Sequence, residues 1–111
     1  MEQALQAIAE PRRREILRLV HDTELTAGEI AAHFEVTRPA ISQHLRVLRE
    51  AELVTVRKEG TRRMYRARPE GLEGLREYLE AFWTDSLLAL KEVVEANESE
   101  EERGRTNASD R

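Results

Sequence analysis

Residues 37–48 read T-R-P-A-I-S-Q-H-L-R-V-L, and as a helix this stretch has two unlike faces. Ile41, Leu45 and Leu48 stand at i, i+4 and i+7 and form an apolar stripe. Thr37, Arg38, Ser42, Gln43 and Arg46 are left on the opposite side, with side chains suited to hydrogen-bond base edges or phosphates. Thr37 is placed to cap the helix, and Pro39 is tolerated in its first turn.

The residues on the N-terminal side prepare for this helix. Thr26-Ala27-Gly28-Glu29 matches a capping box, with Thr26 as cap and Glu29 reaching back to it. It opens a helix with Ile30, Ala31 and Phe34 inward, and Glu35-Val36 then makes a tight turn. Two short helices joined in this way are a helix-turn-helix unit. Further upstream, residues 2–9 read as a short helix carrying Leu5 and Ile8. Pro11 suits the first turn of another that runs to about Val20, with Ile16, Leu17 and Val20 inward. Arg12, Arg13 and Arg14 crowd the start of that helix, the end less favourable to cations. Either a phosphate meets them there or they stand exposed without a partner.

On the C-terminal side, Val54-Thr55-Val56 and Met64-Tyr65-Arg66-Ala67 alternate at strand period. Gly60, between them, can supply the positive φ of a hairpin turn. The connecting stretch also holds Arg57, Lys58, Arg62 and Arg63, more charge than solubility requires of a hairpin tip. These four are candidate contacts to DNA backbone or minor groove, where an arginine reads groove width. Strand neighbours alternate, so all four cannot face one way; Lys58 and Arg62, near the tip, are the preferred pair. Pro69 opens a last helix with Leu72, Leu75, Leu79, Phe82, Trp83, Leu87, Leu90 and Val94 at three- and four-residue steps. Its later part exceeds what so small a domain can bury, which points to a homodimer seam; the alternative is a helix folded wholly back on its own domain. The expected architecture is mainly α (α+β): a winged helix-turn-helix of about five helices with a two-stranded hairpin wing. Residues 1–94 form the DNA-binding and dimerisation domain, and 95–111 an acidic tail that frays and becomes disordered.

Composition sets the limits. The chain has 111 residues and no cysteine, so one domain is expected, without disulfides or thiolate metal sites. No apolar run reaches the roughly 18–20 residues that span a bilayer, and no secretory signal opens the chain. The expected location is the cytoplasm, on the nucleoid when DNA is bound. The net charge of −4 conceals a split: residues 37–68 carry nine Lys and Arg against three Asp and Glu, and residues 69–111 carry five against twelve. A local positive face attracts phosphate whatever the total.

The run L-T-A-G-E-I-A-A-H-F-E-V-T-R-P-A-I-S-Q-H-L-R-V-L-R-E-A-E-L-V, with the wing and the Tyr65 strand, resembles the ArsR-type repressors, and the likeness extends over about residues 3–92. The resemblance implies a two-fold dimer through the first and last helices, with Leu5, Ile8, Leu79, Phe82, Trp83, Leu87 and Leu90 at the seam. It implies binding to an imperfect inverted repeat in double-stranded DNA, and it places His44 near that DNA, against the alternative of a histidine bonded within the protein. It also implies release on binding an effector, often a metal ion. The family's metal sites do not carry over: there is no cysteine near the third helix, and the last helix offers Asp85, Glu92 and Glu95 but no histidine. The chain resembles the branch without a recognisable metal site, so no metal or cofactor is expected and the effector is left open. Arg68 precedes Pro69 where a capping Asp is common in the family, which weakens that helix start. His21, His33 and His44 fall on separate segments without ligand spacing. Ser42 and His44 point about 200° apart on a helix and cannot act together, so no enzyme is expected. The runner-up reading is a winged-helix protein-interaction module that does not bind DNA.

Overall fold

A computed structural model describes the backbone of residues 1–109 and the side chains of residues 1–101. The elements in order are α1 (Glu2–Ala9), α2 (Pro11–Leu19), α3 (Ala27–Ala31), α4 (Arg38–Glu50), β1 (Val54–Glu59), β2 (Arg62–Ala67) and α5 (Pro69–Ser109). Five helices and a two-stranded antiparallel hairpin make a winged helix-turn-helix. The chain divides into two compact units, Met1–Arg76 and the part from Glu77 onward.

In the first unit α4 is the central element. Ile41, Leu45 and Leu48 are buried and meet Ala4 and Ala7 of α1, Ile16 of α2, Val20 at its C-terminal cap and Ile30 of α3 in one core. Thr37 Oγ1 accepts from Ala40 N at 3.3 Å, which satisfies one of the helix's orphan N–H groups. At the other end the chain leaves α4 through a Schellman turn: Leu53 N donates to Leu48 O and Glu52 N to Arg49 O, both at 3.0 Å. The turn puts Glu52 at φ 60, a left-handed position occupied without glycine. Leu53 and Val54 then enter the core at the foot of the wing.

Several sequence expectations are revised. α3 has five residues and ends before Phe34. Phe34 lies half-buried in a tight turn whose bonds run from His33 N to Ile30 O at 3.0 Å and from Phe34 N to Ala31 O at 3.1 Å. The hairpin strands are longer than their apolar cores suggest. Only Gly60 and Thr61 separate them, with Gly60 at φ +64, so Arg57, Lys58, Arg62 and Arg63 are strand residues. Arg13 and Arg14 are neither exposed without partners nor turned to a phosphate. Arg13 Nε donates to Ala7 O at 2.7 Å and Arg14 Nη1 to Ile8 O at 2.8 Å. They sit at an unfavourable end of α2 because they cap the carbonyl end of α1, where cations are favoured.

One pairing was not foreseen. Leu25 exchanges both backbone bonds with Tyr65, at 3.0 and 2.8 Å, so the residues before α3 flank β2 as a minimal third strand.

In the second unit α5 carries a broad apolar face. Tyr78, Leu79, Phe82, Trp83, Leu87, Leu90, Val93 and Val94 are exposed, Trp83 to 64%. At about 100° per residue they cover about half of the helix circumference, wider than a single coiled-coil seam. The helix continues through the acidic segment to Ser109, where a fraying helix and a disordered tail were expected. That expectation lies outside the described residues at 110–111 and, for side chains, from residue 102 on. No helix among the described residues is long and apolar enough to cross a membrane.

Candidate nucleic-acid interface

The capping box at Thr26 places one wall of the candidate site. Glu29 N donates to Thr26 Oγ1 at 3.2 Å and Thr26 N to Glu29 Oε1 at 3.0 Å. These two bonds close the first turn of α3 on itself and fix where that helix begins. With Ile41 taken as zero on α4, Arg38, Arg49, Ser42 and Arg46 fall at about 60°, 80°, 100° and 140°. All four are exposed, and they form one polar arc beside the buried stripe. Gln43 is exposed but lies further round, at about 200°. His44 lies on the other flank, half-buried, with Nδ1 buried and without a hydrogen-bond partner among the described residues. The structure therefore does not group His44 with the other residues of this helix.

The wing faces that arc. Register pairs Lys58 with Arg63, Arg57 with Met64 and Glu59 with Arg62. Residues alternate across a strand, so Lys58 and Arg63 share the face of buried Val54 and Ala67, while Arg57 and Arg62 share the outer face. Two cavities lie between wing and helix. One, of about 560 Å³, is lined by Ser42, Leu45, Arg46, Arg49, Glu50, Arg63 and Tyr65. The other, of about 640 Å³, is lined by Arg38, Ser42, Arg62, Arg63, Tyr65 and the first residues of α3. Ser42 and Arg63 line both, whereas Lys58 lines neither. The pair expected from sequence, Lys58 and Arg62, is split between faces, and Arg63 takes the inner position. Sequence reasoning also missed Arg49. It stands seven residues after Ser42, two helical turns on, and that spacing was the available signal.

The cations differ in how far they are committed. Arg46 Nε pairs with Glu50 at 3.1 Å, both side chains well exposed. Arg62 Nη2 pairs with Glu29 at 3.2 Å. Arg57 is bound by Glu24 and by Glu59, at 3.0 and 2.8 Å. The side chains of Arg38, Lys58, Arg49 and Arg63 make no hydrogen bond or ion pair among the described residues. The Arg57 hydrogen bond holds the Glu24 carboxyl below the usual range. The Thr26 amide, followed by the Thr26 side chain, does the same for Glu29. Arg38 and Arg49 of the arc and Arg63 of the inner wing face therefore present guanidinium groups without an acidic partner among the described residues, at a surface that also carries neutral hydrogen-bonding side chains. Such a surface binds polyanions and reads hydrogen-bond patterns.

Comparison with known proteins identifies the family. Residues 10–56 match the family described as "Bacterial regulatory protein, arsR family". The HTH-type transcriptional regulator Rv2034 of Mycobacterium tuberculosis is 42% identical over 95 residues, which cover 86% of this chain and 89% of that protein. The chain belongs to the ArsR family. The transcriptional repressor SdpR of Bacillus subtilis is 42% identical to this ArsR-family chain over 60 residues, 54% of the chain and 67% of SdpR. A crystal structure of a "possible transcriptional regulator for arsenical resistance" shares 49% identity with a TM-score of 0.69, covering 78% of this chain and 94% of that one. The homodimeric winged helix-turn-helix DNA-binding domain of Mb0332 from Mycobacterium bovis, solved by NMR, superposes with a TM-score of 0.61 at 29% identity, covering 78% and 80%. Among the described residues no cluster of His, Cys, Asp and Glu has metal-binding geometry.

Proposed function

We propose that this ArsR-family regulator is a homodimeric, sequence-specific DNA-binding repressor acting on an inverted-repeat operator. Two copies of α4 would enter successive major grooves about 34–36 Å apart. The observation that carries this reading is the pair of clefts in which Arg63 of the wing stands opposite Ser42 and the arginine arc of α4. Ser42 and Gln43 contact bases, Gln43 being suited to adenine. Arg38, Arg46, Arg49 and Arg63 meet phosphate or guanine, with Lys58 and Arg62 at the wing's edge and Thr37 at a phosphate near the helix start. His44, half-buried, supports the helix rather than touching DNA. The SdpR and Mb0332 likenesses support repression and the dimer respectively, and the exposed apolar face of α5 also supports the dimer; the seam would take in Leu5 and Ile8 of α1 as well, which are only partly buried against their own core. The protein acts by binding rather than catalysis, in the cytoplasm and on the nucleoid.

The test is a titration of DNA from upstream of its gene against a random duplex of equal length, at several salt concentrations. Arg63→Ala is expected to weaken both and to make the salt slope shallower by about one unit. Gln43→Ala is expected to lose discrimination at one base pair. Equal affinity of the wild-type protein for both duplexes would overturn the reading. Capture of a protein partner through α5 in its place would favour an interaction module.

A further inference from the structure

Arg57 belongs to the wing by sequence, yet its surroundings do not suit a phosphate contact. It lies on the outer face, opposite Met64, while Lys58 and Arg63 occupy the inner one. Its Nε donates to Glu24 Oε2 at 3.0 Å and its Nη2 to Glu24 Oε1 at 3.1 Å and to Glu59 Oε2 at 2.8 Å. One guanidinium bonded to two carboxylates is already neutralised, and even with Arg66 close to Glu24 the cluster carries no net positive charge with which to attract a polyanion. The fork-on-carboxylate geometry instead fixes orientation. Glu24 is 33 residues away in sequence and reaches across β2, because Leu25 pairs with Tyr65 and brings Glu24 beside Arg66. A second tie follows five residues on, where Glu29 holds Arg62 at 3.2 Å. Segment 24–29 thus grips both strands of the wing and runs directly into α3.

We propose that Arg57, held by Glu24, is a positioning residue that sets the wing against α3 and so keeps Arg63 opposite Ser42, and that it does not touch DNA. The proposal rests on the DNA-binding reading above. The competing view makes Arg57 a phosphate contact partly masked by its acidic neighbours. The two views give opposite signs for Glu24→Gln, which removes the grip but leaves the arginine charged.

The experiment uses the full chain, a duplex enriched by the wild-type protein from a randomised pool, and a random duplex of the same length. Glu24→Gln is expected to weaken binding to the enriched duplex about three- to tenfold while leaving the salt slope unchanged. Amide exchange at Leu25 and Tyr65 is expected to quicken without change in circular dichroism. The charge exchange Glu24→Arg with Arg57→Glu is expected to restore most of the affinity, which a mere loss of a DNA-contacting cation would not. Tighter binding by Glu24→Gln with a slope steeper by about one unit, or unchanged affinity, would overturn the proposal and leave the DNA-binding reading standing. Failure of the wild-type protein to enrich any sequence would bring down both.

Discussion

Glu52 and Gly71 meet at one point of the fold and obey opposite rules. Glu52 sits at φ 60 in the turn that ends α4, where a side chain costs about 1–2 kcal/mol relative to a residue without Cβ. Its own side chain is exposed. Glu52→Gly is therefore expected to raise stability by about 1 kcal/mol, after allowing for the greater freedom of the unfolded chain, read as a higher Tm. Gly71 is the reverse case, because a Cβ there would overlap the Glu52 carbonyl oxygen. Gly71→Ala is expected to cost about 1–3 kcal/mol by forcing apart the start of α5 and the end of α4. Neither position could be read from sequence, since both depend on where α4 and α5 come together. Thr26 and Glu29 were legible, because a capping box closes within four residues. Arg13 and Arg14 were not, because their acceptors belong to another helix.

At the scale of elements, α4 was readable because its stripe is strictly periodic and its cap is local. Leu45→Ala, at a site 1% exposed, is expected to cost about 2–5 kcal/mol, checked by denaturant unfolding. The wing was readable as a hairpin but not in its facing, because apolar alternation stops at Val56 and Tyr65 while pairing continues to the turn. Its acidic ties predict a pH dependence. The Arg57 hydrogen bond and the Thr26 bonds lower the folded pKa of Glu24 and Glu29 below 4.5, their ordinary value. A depressed carboxylate stabilises the fold above its unfolded pKa and loses that contribution as pH falls through the folded value. The Tm gap between the wild type and Glu29→Gln is therefore expected to be full at neutral pH and to close as pH is taken below 4.5. A gap that persists in acid would show that the capping bond does not depend on charge.

On the whole-molecule scale, the segregated charge and the apolar face of α5 belong together. Along the sequence the acidic residues are concentrated after the arginine-bearing stretch, and Phe82, Trp83 and Leu87 are each more than half exposed, an apolar surface of the kind that marks an interface. Phe82→Glu is expected to turn a dimer into a monomer in sedimentation equilibrium and to weaken operator binding by at least tenfold, through loss of the second half-site. The single tryptophan supplies a second readout: Trp83 emission is expected to shift blue with rising protein concentration in the wild type and to stay fixed in the variant.

Sequence by itself determined the elements whose signals close within a turn or two: the periodic stripe of α4, the caps at Thr26 and Thr37, the glycine turn at Gly60 and the repeating apolar positions of α5. It also carried the family likeness that names the architecture. Tertiary structure alone decided which cations are already neutralised, which face of the wing looks toward α4, and that Leu25 joins β2. Those facts depend on pairs some tens of residues apart, such as Glu24 with Arg57. Local periodicity carries no record of such partners, because they become neighbours only after the core has brought their elements together.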